Sequence, residues 1–350
     1  GPPGIRRAMR AGGLAAMWLP FCLLIPATFT PTRTVEYLLV AGSSLALGLI
    51  TDLILRWPRG PMLPAAATVL AYTIDLAHGS PLIVRSLLGP NPRFGSRFYG
   101  LGNELEALIP IIVLTGLAAT PWLQRRSIRN ASIFGGVGLA LGVIVGSGRL
   151  GADVGGVITV GAGFAVATVL MLPGKFTWKR LLIVCAAPVL ALAGLAALDL
   201  LTGGNSHFTR TVLSGGGAEF QDTVRRRYEL AFNVLRRGLI PVLTGLALLA
   251  AAYGVRHRAT LFNNVIDRPA WRAALAGSLV GCVAGALTND SGPMLVIFGV
   301  ILLTFVTAYL RGDPRLLTPP PPPREAEPAE EEPEPPEEAE SRPPEPATSR

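Results

Sequence analysis

Apolar runs close to membrane-spanning length recur along almost the whole chain. They fall at about 12–30, 36–55, 62–79, 104–120, 132–147, 153–172, 181–201, 239–255, 271–288 and 294–310. The hydrocarbon core of a bilayer demands about 20 such residues per helix, and a soluble core does not repeat runs of that length. Half of the 350 residues are hydrophobic, only 15% are charged, and the mean hydropathy is +0.46. The expected fold class is all-α, a polytopic integral membrane helical bundle of about ten transmembrane helices.

Domain organisation follows from where this pattern breaks. The connections are mostly short and basic, except for residues 202–238, which are Gly-rich at Gly215–Gly217 and then read as a helix over 218–237. That helix sets Arg225, Arg226, Arg227, Arg236 and Arg237 against Phe220, Tyr228, Leu230, Phe232 and Leu235. Such a pattern fits an amphipathic helix in the head-group plane, or a loop helix packed on the protein. Residues 1–315 are expected to form the transmembrane domain. Residues 316–350 are Pro and Glu with almost no apolar content, so they are expected to be a disordered tail. The first run follows Arg6, Arg7 and Arg10 and is of full span length, so it reads as a retained helix and not a signal peptide. The chain opens on Gly1-Pro2-Pro3 and not Met, and so reads as a fragment or a processed form.

Charge narrows the partners. Up to Arg315 there are 28 basic and 13 acidic residues, and from Leu316 onward 3 basic and 10 acidic. A basic body with Arg at the ends of apolar runs suits membrane lipids with anionic head groups. No basic stripe with interleaved aromatics appears, so no nucleic acid partner is expected. Cys22, Cys185 and Cys282 lie inside apolar runs and show neither metal-ligand nor disulfide spacing. With three His, no Ser/His/Asp spacing and no HExxH, no metal site, no cofactor and no conventional hydrolase is expected.

Basic residues in the flanks also set orientation. With the N-terminus inside, 17 fall on the cytoplasmic side and 11 on the other. Three polar motifs then share the outer layer. Arg93-Phe-Gly-Ser-Arg97-Phe-Tyr-Gly-Leu-Gly-Asn103-Glu104-Leu-Glu106 leads from a glycine-broken loop into an apolar run. It contains Gly-x-Gly, but Leu105 stands where a dinucleotide fingerprint needs its third glycine. Gly146-Ser-Gly-Arg149-Leu-Gly-Ala-Asp153-Val-Gly-Gly156 and Thr288-Asn289-Asp290-Ser291-Gly292-Pro293 sit between other runs. Each has a plain reading as a helix cap or tight turn, the second with Arg149 and Asp153 paired. Each also has a functional reading, since carboxylates at membrane depth are costly unless used. Glu104, Asp153 and Asp290 would then be proton or cation sites, Asn103, Asn289 and Ser291 polar ligands beside them, and Arg93, Arg97 and Arg149 partners for an anion.

Two glycine stripes, Gly138/Gly142/Gly146 and Gly277/Gly281/Gly285, lead into two of these loops and predict close helix approach there. Asp52 stands four residues before Arg56 and reads as a surface pair at the cytoplasmic end.

The segment from Ser86 to Glu104, the Gly151-Ala-Asp-Val-Gly-Gly156 segment and Asn289-Asp-Ser-Gly292 together resemble a group of largely uncharacterised, mainly actinobacterial, polytopic membrane proteins. These share RFYG-x-GN, GAD-x-GG and NDSG motifs in that order, and the similarity covers roughly 86–293. The resemblance implies a multi-pass protein of the bacterial inner (plasma) membrane, with an extracytoplasmic alkaline-phosphatase-like domain as a possible partner. It brings no settled activity. The expected function is a cell-envelope secondary transporter or flippase for an anionic or lipid-linked substrate, coupled to protons or a cation. The alternatives are a membrane-embedded transferase or hydrolase acting on a lipid-linked phosphate at the outer leaflet, or a non-catalytic scaffold for a phosphatase-like enzyme.

Overall fold

A computed structural model describes residues 2–89, 100–147, 150–151, 153–175, 177–201, 217–265 and 267–314. Each of the ten apolar runs is helical: α1 (Pro2–Ala27), α2 (Arg33–Ile54), α3 (Met62–Ala77), α4 (Asn103–Ala119), α5 (Ile128–Gly146), α6 (Val154–Met171), α7 (Trp178–Leu201), then, after the amphipathic helix α8 (Gly217–Leu235), α9 (Ile240–Arg256), α10 (Pro269–Thr288) and α11 (Gly292–Arg311). Among the described residues there is no strand. Five helices there are long and apolar enough to cross a membrane: α1, α2, α5, α10 and α11. A sixth span results if Arg225–Leu235 and Ile240–Arg256, which meet at a 96° bend, count as one. Helix α3 and Gly155–Met171 are apolar but shorter.

The surface confirms the solvent. Leu38, Leu53, Leu190 and Leu249 point outward, each about two-thirds exposed (68, 67, 68 and 69%). A soluble protein would bury such side chains, whereas a bilayer solvates them. The chain is a helical membrane protein.

Helix α4 is the axis of the bundle. It is buried from Leu105 through Gly116 and, beyond Glu106, almost wholly apolar on every side, as expected of a helix surrounded by others. Its neighbours are α3, α6, α10 and α11. Pro110 lacks an N–H, so the Glu106 carbonyl loses its usual donor one turn on.

Glycine sets the closest crossings. On α6 and α10, a Cβ at Gly163 would stand 2.9 Å from the Gly277 carbonyl, and one at Gly281 2.9 Å from that of Thr159. The Gly277/Gly281/Gly285 stripe is therefore a contact surface. The other stripe holds only in part: Gly138 faces Phe164 of α6, but Gly142 faces open space. Helix α5 meets α6 along other residues as well, since a Cβ on Gly135 would lie 3.5 Å from Thr168.

At the end of the bundle where α1 begins, Arg10 reaches across from α1 to Asp52 of α2, with Nε–Oδ1 2.6 Å and Nη2–Oδ2 3.1 Å, and to the Gly312 carbonyl at 2.9 Å. This corrects the expected Asp52–Arg56 pair. A guanidinium from another helix meets both carboxylate oxygens at once, and the bidentate geometry prevails over a single contact along one helix. Arg56 is left exposed.

Helix α8 begins at 217, within a residue of expectation. Arg225 pairs with Glu229 at 2.9 Å, Arg236 lies 4.1 Å from the centre of the Phe232 ring, and Tyr228, Leu230 and Phe232 are exposed. The helix meets α9 at a 96° bend.

Candidate functional site

Three helix starts meet at one end of the bundle: α4 at Asn103, α6 at Val154 and α11 at Gly292. The turn from α10 into α11 carries Asn289, Asp290 and Ser291 between them. Asn103 donates through Nδ2 to Asp290 Oδ1 at 3.0 Å and to Ser291 Oγ at 2.8 Å. One turn deeper, Asn289 donates through Nδ2 to Glu106 Oε2 at 2.7 Å. The Thr159 hydroxyl of α6 approaches Glu106 Oε1 at 3.5 Å. The first and third motifs are thereby joined twice, once at each side of the chain reversal.

The second motif comes up against them through its glycines. A Cβ on Gly155 would lie 2.7 Å from Asn289 Nδ2 and 3.2 Å from Glu106 Oε1. One on Gly156 would lie 2.9 Å from Glu106 Cγ. Neither position has room for a side chain. Asp153 itself caps α6, its Oδ1 accepting from the N–H groups of Gly155 (3.0 Å) and Gly156 (3.3 Å). Gly100, at φ +89°, sets its backbone against the Gly151 carbonyl and so joins the first and second loops directly.

Six of the nine expected residues fall among those described. Asn103, Asp290 and Ser291 touch one another, Asn289 is buried against Glu106, and Asp153 is 2% exposed in the α6 cap. Glu104 is half-buried at the start of α4, within electrostatic reach of Asp290. Arg93, Arg97 and Arg149 lie outside the described residues, as does the 316–350 tail. The capping readings separate. Asp153 is a cap, whereas the residues before α4 and α11, Gly102 and Ser291, make no side-chain cap bond. Asn103 and Asp290 spend their polar atoms on each other instead.

Glu106 is the central residue; the sequence reading placed it at the end of the first motif and gave it no role of its own. It is 2% exposed, at the contact of α4, α6 and α10. Two signals pointed to it. It is the deeper of two acids in one apolar run, and Pro110 follows it by four residues. A second missed contact is Arg227 of α8, whose Nη1 donates to the Thr288 carbonyl at 3.1 Å and ties α8 to the same turn.

The chemistry available is that of carboxylates with amide and hydroxyl neighbours. Glu106 and Asp290 can each hold a proton or present oxygen to a cation, with Asn289, Asn103, Thr159 and Ser291 completing the polar shell. Three helix N-termini add positive potential to the same place. Among the described residues, no three His, Cys, Asp or Glu side chains gather as a metal-holding group. No protein-family model, no curated protein and no solved structure matches the chain.

Proposed function

We propose that the chain is a ten-span secondary transporter or flippase of a bacterial inner membrane, moving an anionic or lipid-linked substrate coupled to protons or a cation. The observation that carries this reading is the buried Glu106, held by Asn289 of an interrupted helix pair and by Thr159. Interrupted helices with polar groups at the break recur where transporters bind coupling ions, because irregular backbone at membrane depth is tolerated only against protein or a wet cavity. Carboxylates enclosed in such a break are a place for a coupling ion, and the converging helix starts favour an anion beside them. The three-motif resemblance supports placing the chain among the actinobacterial proteins described above. With the N-terminus inside, the cluster faces outward.

Accessibility tests the reading. Ser291→Cys, in a Cys185→Ser background, is probed in sealed vesicles with a membrane-impermeant thiol reagent from each side, with and without a proton or sodium gradient. A transporter exposes position 291 to each side in turn, with the gradient shifting the balance, and Glu106→Gln removes that shift. Labelling from one side only under every gradient would refute transport and leave a fixed outward site, as an enzyme or scaffold requires.

A further inference from the structure

At the opposite end of α4 from the acid–amide cluster, a cleft of about 510 Å³ opens between the end of α2, the end of α4 and the start of α10. Its charged lining is three arginines, Arg56, Arg59 and Arg268, with no acid among the lining residues. The Arg268 guanidinium is stacked over Trp57 at 5.2 Å from the ring centre. Arg56 and Arg59 have no hydrogen-bond or ion-pair partner for their side chains among the described residues, because Asp52, the acid nearest Arg56 in sequence, is bound by Arg10. Arg268 is also the residue before the first turn of α10, so that helix directs its N-terminal end toward the cleft. Gln124 commits its Nε2 to the Ala118 and Thr120 carbonyls, and its Oε1 has no partner.

Arginines that merely anchor a helix in the head-group layer are scattered around its rim. Here three from two segments distant in sequence share one concavity, with one placed over an indole. Arg56 and Arg59 are brought beside a third guanidinium with no acid in the cleft lining, and a bound polyanionic oxygen group offsets that like-charge repulsion. Guanidinium groups match phosphate bidentately, and an aromatic stack holds the fork in place. We propose that this cleft is a second, separate binding site, and that it takes a phosphate-bearing group. Two sources carry that chemistry: the head group of an anionic phospholipid and a soluble phosphate. Leu53 and Ile54, both 67% exposed just before Arg56, and Trp122, 69% exposed beside the lining residue Pro121, supply the apolar margin a lipid needs.

The test uses the whole chain in nanodiscs of phosphatidylcholine. Retained lipid is read by native mass spectrometry after adding phosphatidylglycerol, and thermal stability is followed during titration with inorganic phosphate. The Arg56→Gln/Arg59→Gln variant is compared with Arg125→Gln/Arg129→Gln, which removes the same charge from exposed positions outside the cleft. Saturable retention of phosphatidylglycerol, weakened about ten-fold or more by the cleft pair and little by the other, supports a lipid site, since each lost charged contact matters at that scale. A saturable shift with inorganic phosphate showing the same selectivity supports a soluble ligand. Arg268→Lys should weaken either one, because lysine keeps the charge and loses the fork. Equal losses from both double variants, or no saturable response to either probe, would overturn the proposal and leave general surface electrostatics.

Discussion

If Glu106 and Asn289 form one unit, substitutions at the two positions cannot be independent. Their contact is 2.7 Å long, with Asn289 7% and Glu106 2% exposed. A hydrogen bond to a charged group contributes about 1.5–3 kcal/mol, and a buried donor left without an acceptor costs about 1–3 kcal/mol. Glu106→Ala strands the Asn289 amide and opens a void, for a loss of about 2–4 kcal/mol in all. Asn289→Ala alone should cost about 1.5–3 kcal/mol. Glu106→Gln keeps the shape and an acceptor oxygen and loses only the charge assistance, about 1 kcal/mol. In the double variant the stranded partner disappears, so Glu106→Ala and Asn289→Ala together should cost about 1–3 kcal/mol less than their sum. Replacing both by apolar residues of similar size, Glu106→Met with Asn289→Leu, should cost less than either alanine change. Equilibrium unfolding in mixed bicelles by dodecyl sulfate reads these differences without any assay of function. Additivity within about 0.5 kcal/mol would refute the contact, since uncoupled sites behave that way.

The helix crossing offers a second check: Gly163→Ala should destabilise by about 1–3 kcal/mol, because its Cβ would meet the Gly277 carbonyl at 2.9 Å, whereas Gly142→Ala, facing open space, should be neutral or stabilise by up to about 1 kcal/mol, as read by thermal unfolding in detergent. Asp52→Asn should cost about 3–5 kcal/mol in the same measurement, since it leaves Arg10 without its 2.6 Å carboxylate partner, while Arg56→Gln should stay within about 0.5 kcal/mol; equal effects would restore the intrahelical pairing. For sidedness, Tyr228→Cys on α8 should react with an impermeant thiol reagent outside intact cells and Lys179→Cys only after permeabilisation, and the reverse pattern would invert the whole layer.

How far the sequence reached depended on the length scale of the signal. Span-length runs are set by bilayer thickness, so nine of the ten helices were legible within a few residues, while α1 begins at Pro2, ten residues before the expected start. Glycine spacing was weaker evidence. Gly277, Gly281 and Gly285 do form a crossing surface, but Gly142 shows that a period of four names a face without naming what covers it. Pairing was least legible, because it depends on which helices become neighbours. Asp52 had an arginine four residues away in the chain and took one 42 residues away. Glu106 carried no motif of its own, and its partner stands 183 residues distant. The cap chemistry of Asp153 was local and could be read. That of Asn103 and Asp290 was not, since both face across the bundle.

Stability alone gives a poor account of the cluster. An acid at the centre of a helix bundle costs desolvation, and leucine at 106 would pack against α6 and α10 without it. The surroundings are instead cut to fit the acid. Gly155 and Gly156 give up side chains where any Cβ would strike Glu106 or Asn289. Pro110 gives up a backbone bond beside it. Helix α10 ends at Thr288 and α11 begins at Gly292, so the intervening turn holds Asn289 where its amide can reach. Each departure is individually unfavourable for a membrane helix, where backbone groups depend on internal partners. Local rules broken together, around one buried carboxylate, are expected where function and not packing has selected the residues. Asp153 differs in kind: its Oδ1 closes a local cap with two N–H groups of α6. Under the proposed function, the weight lies with Glu106 and the Asn103–Asp290–Ser291 contact, with the Asp153 cap at the start of the helix that encloses them.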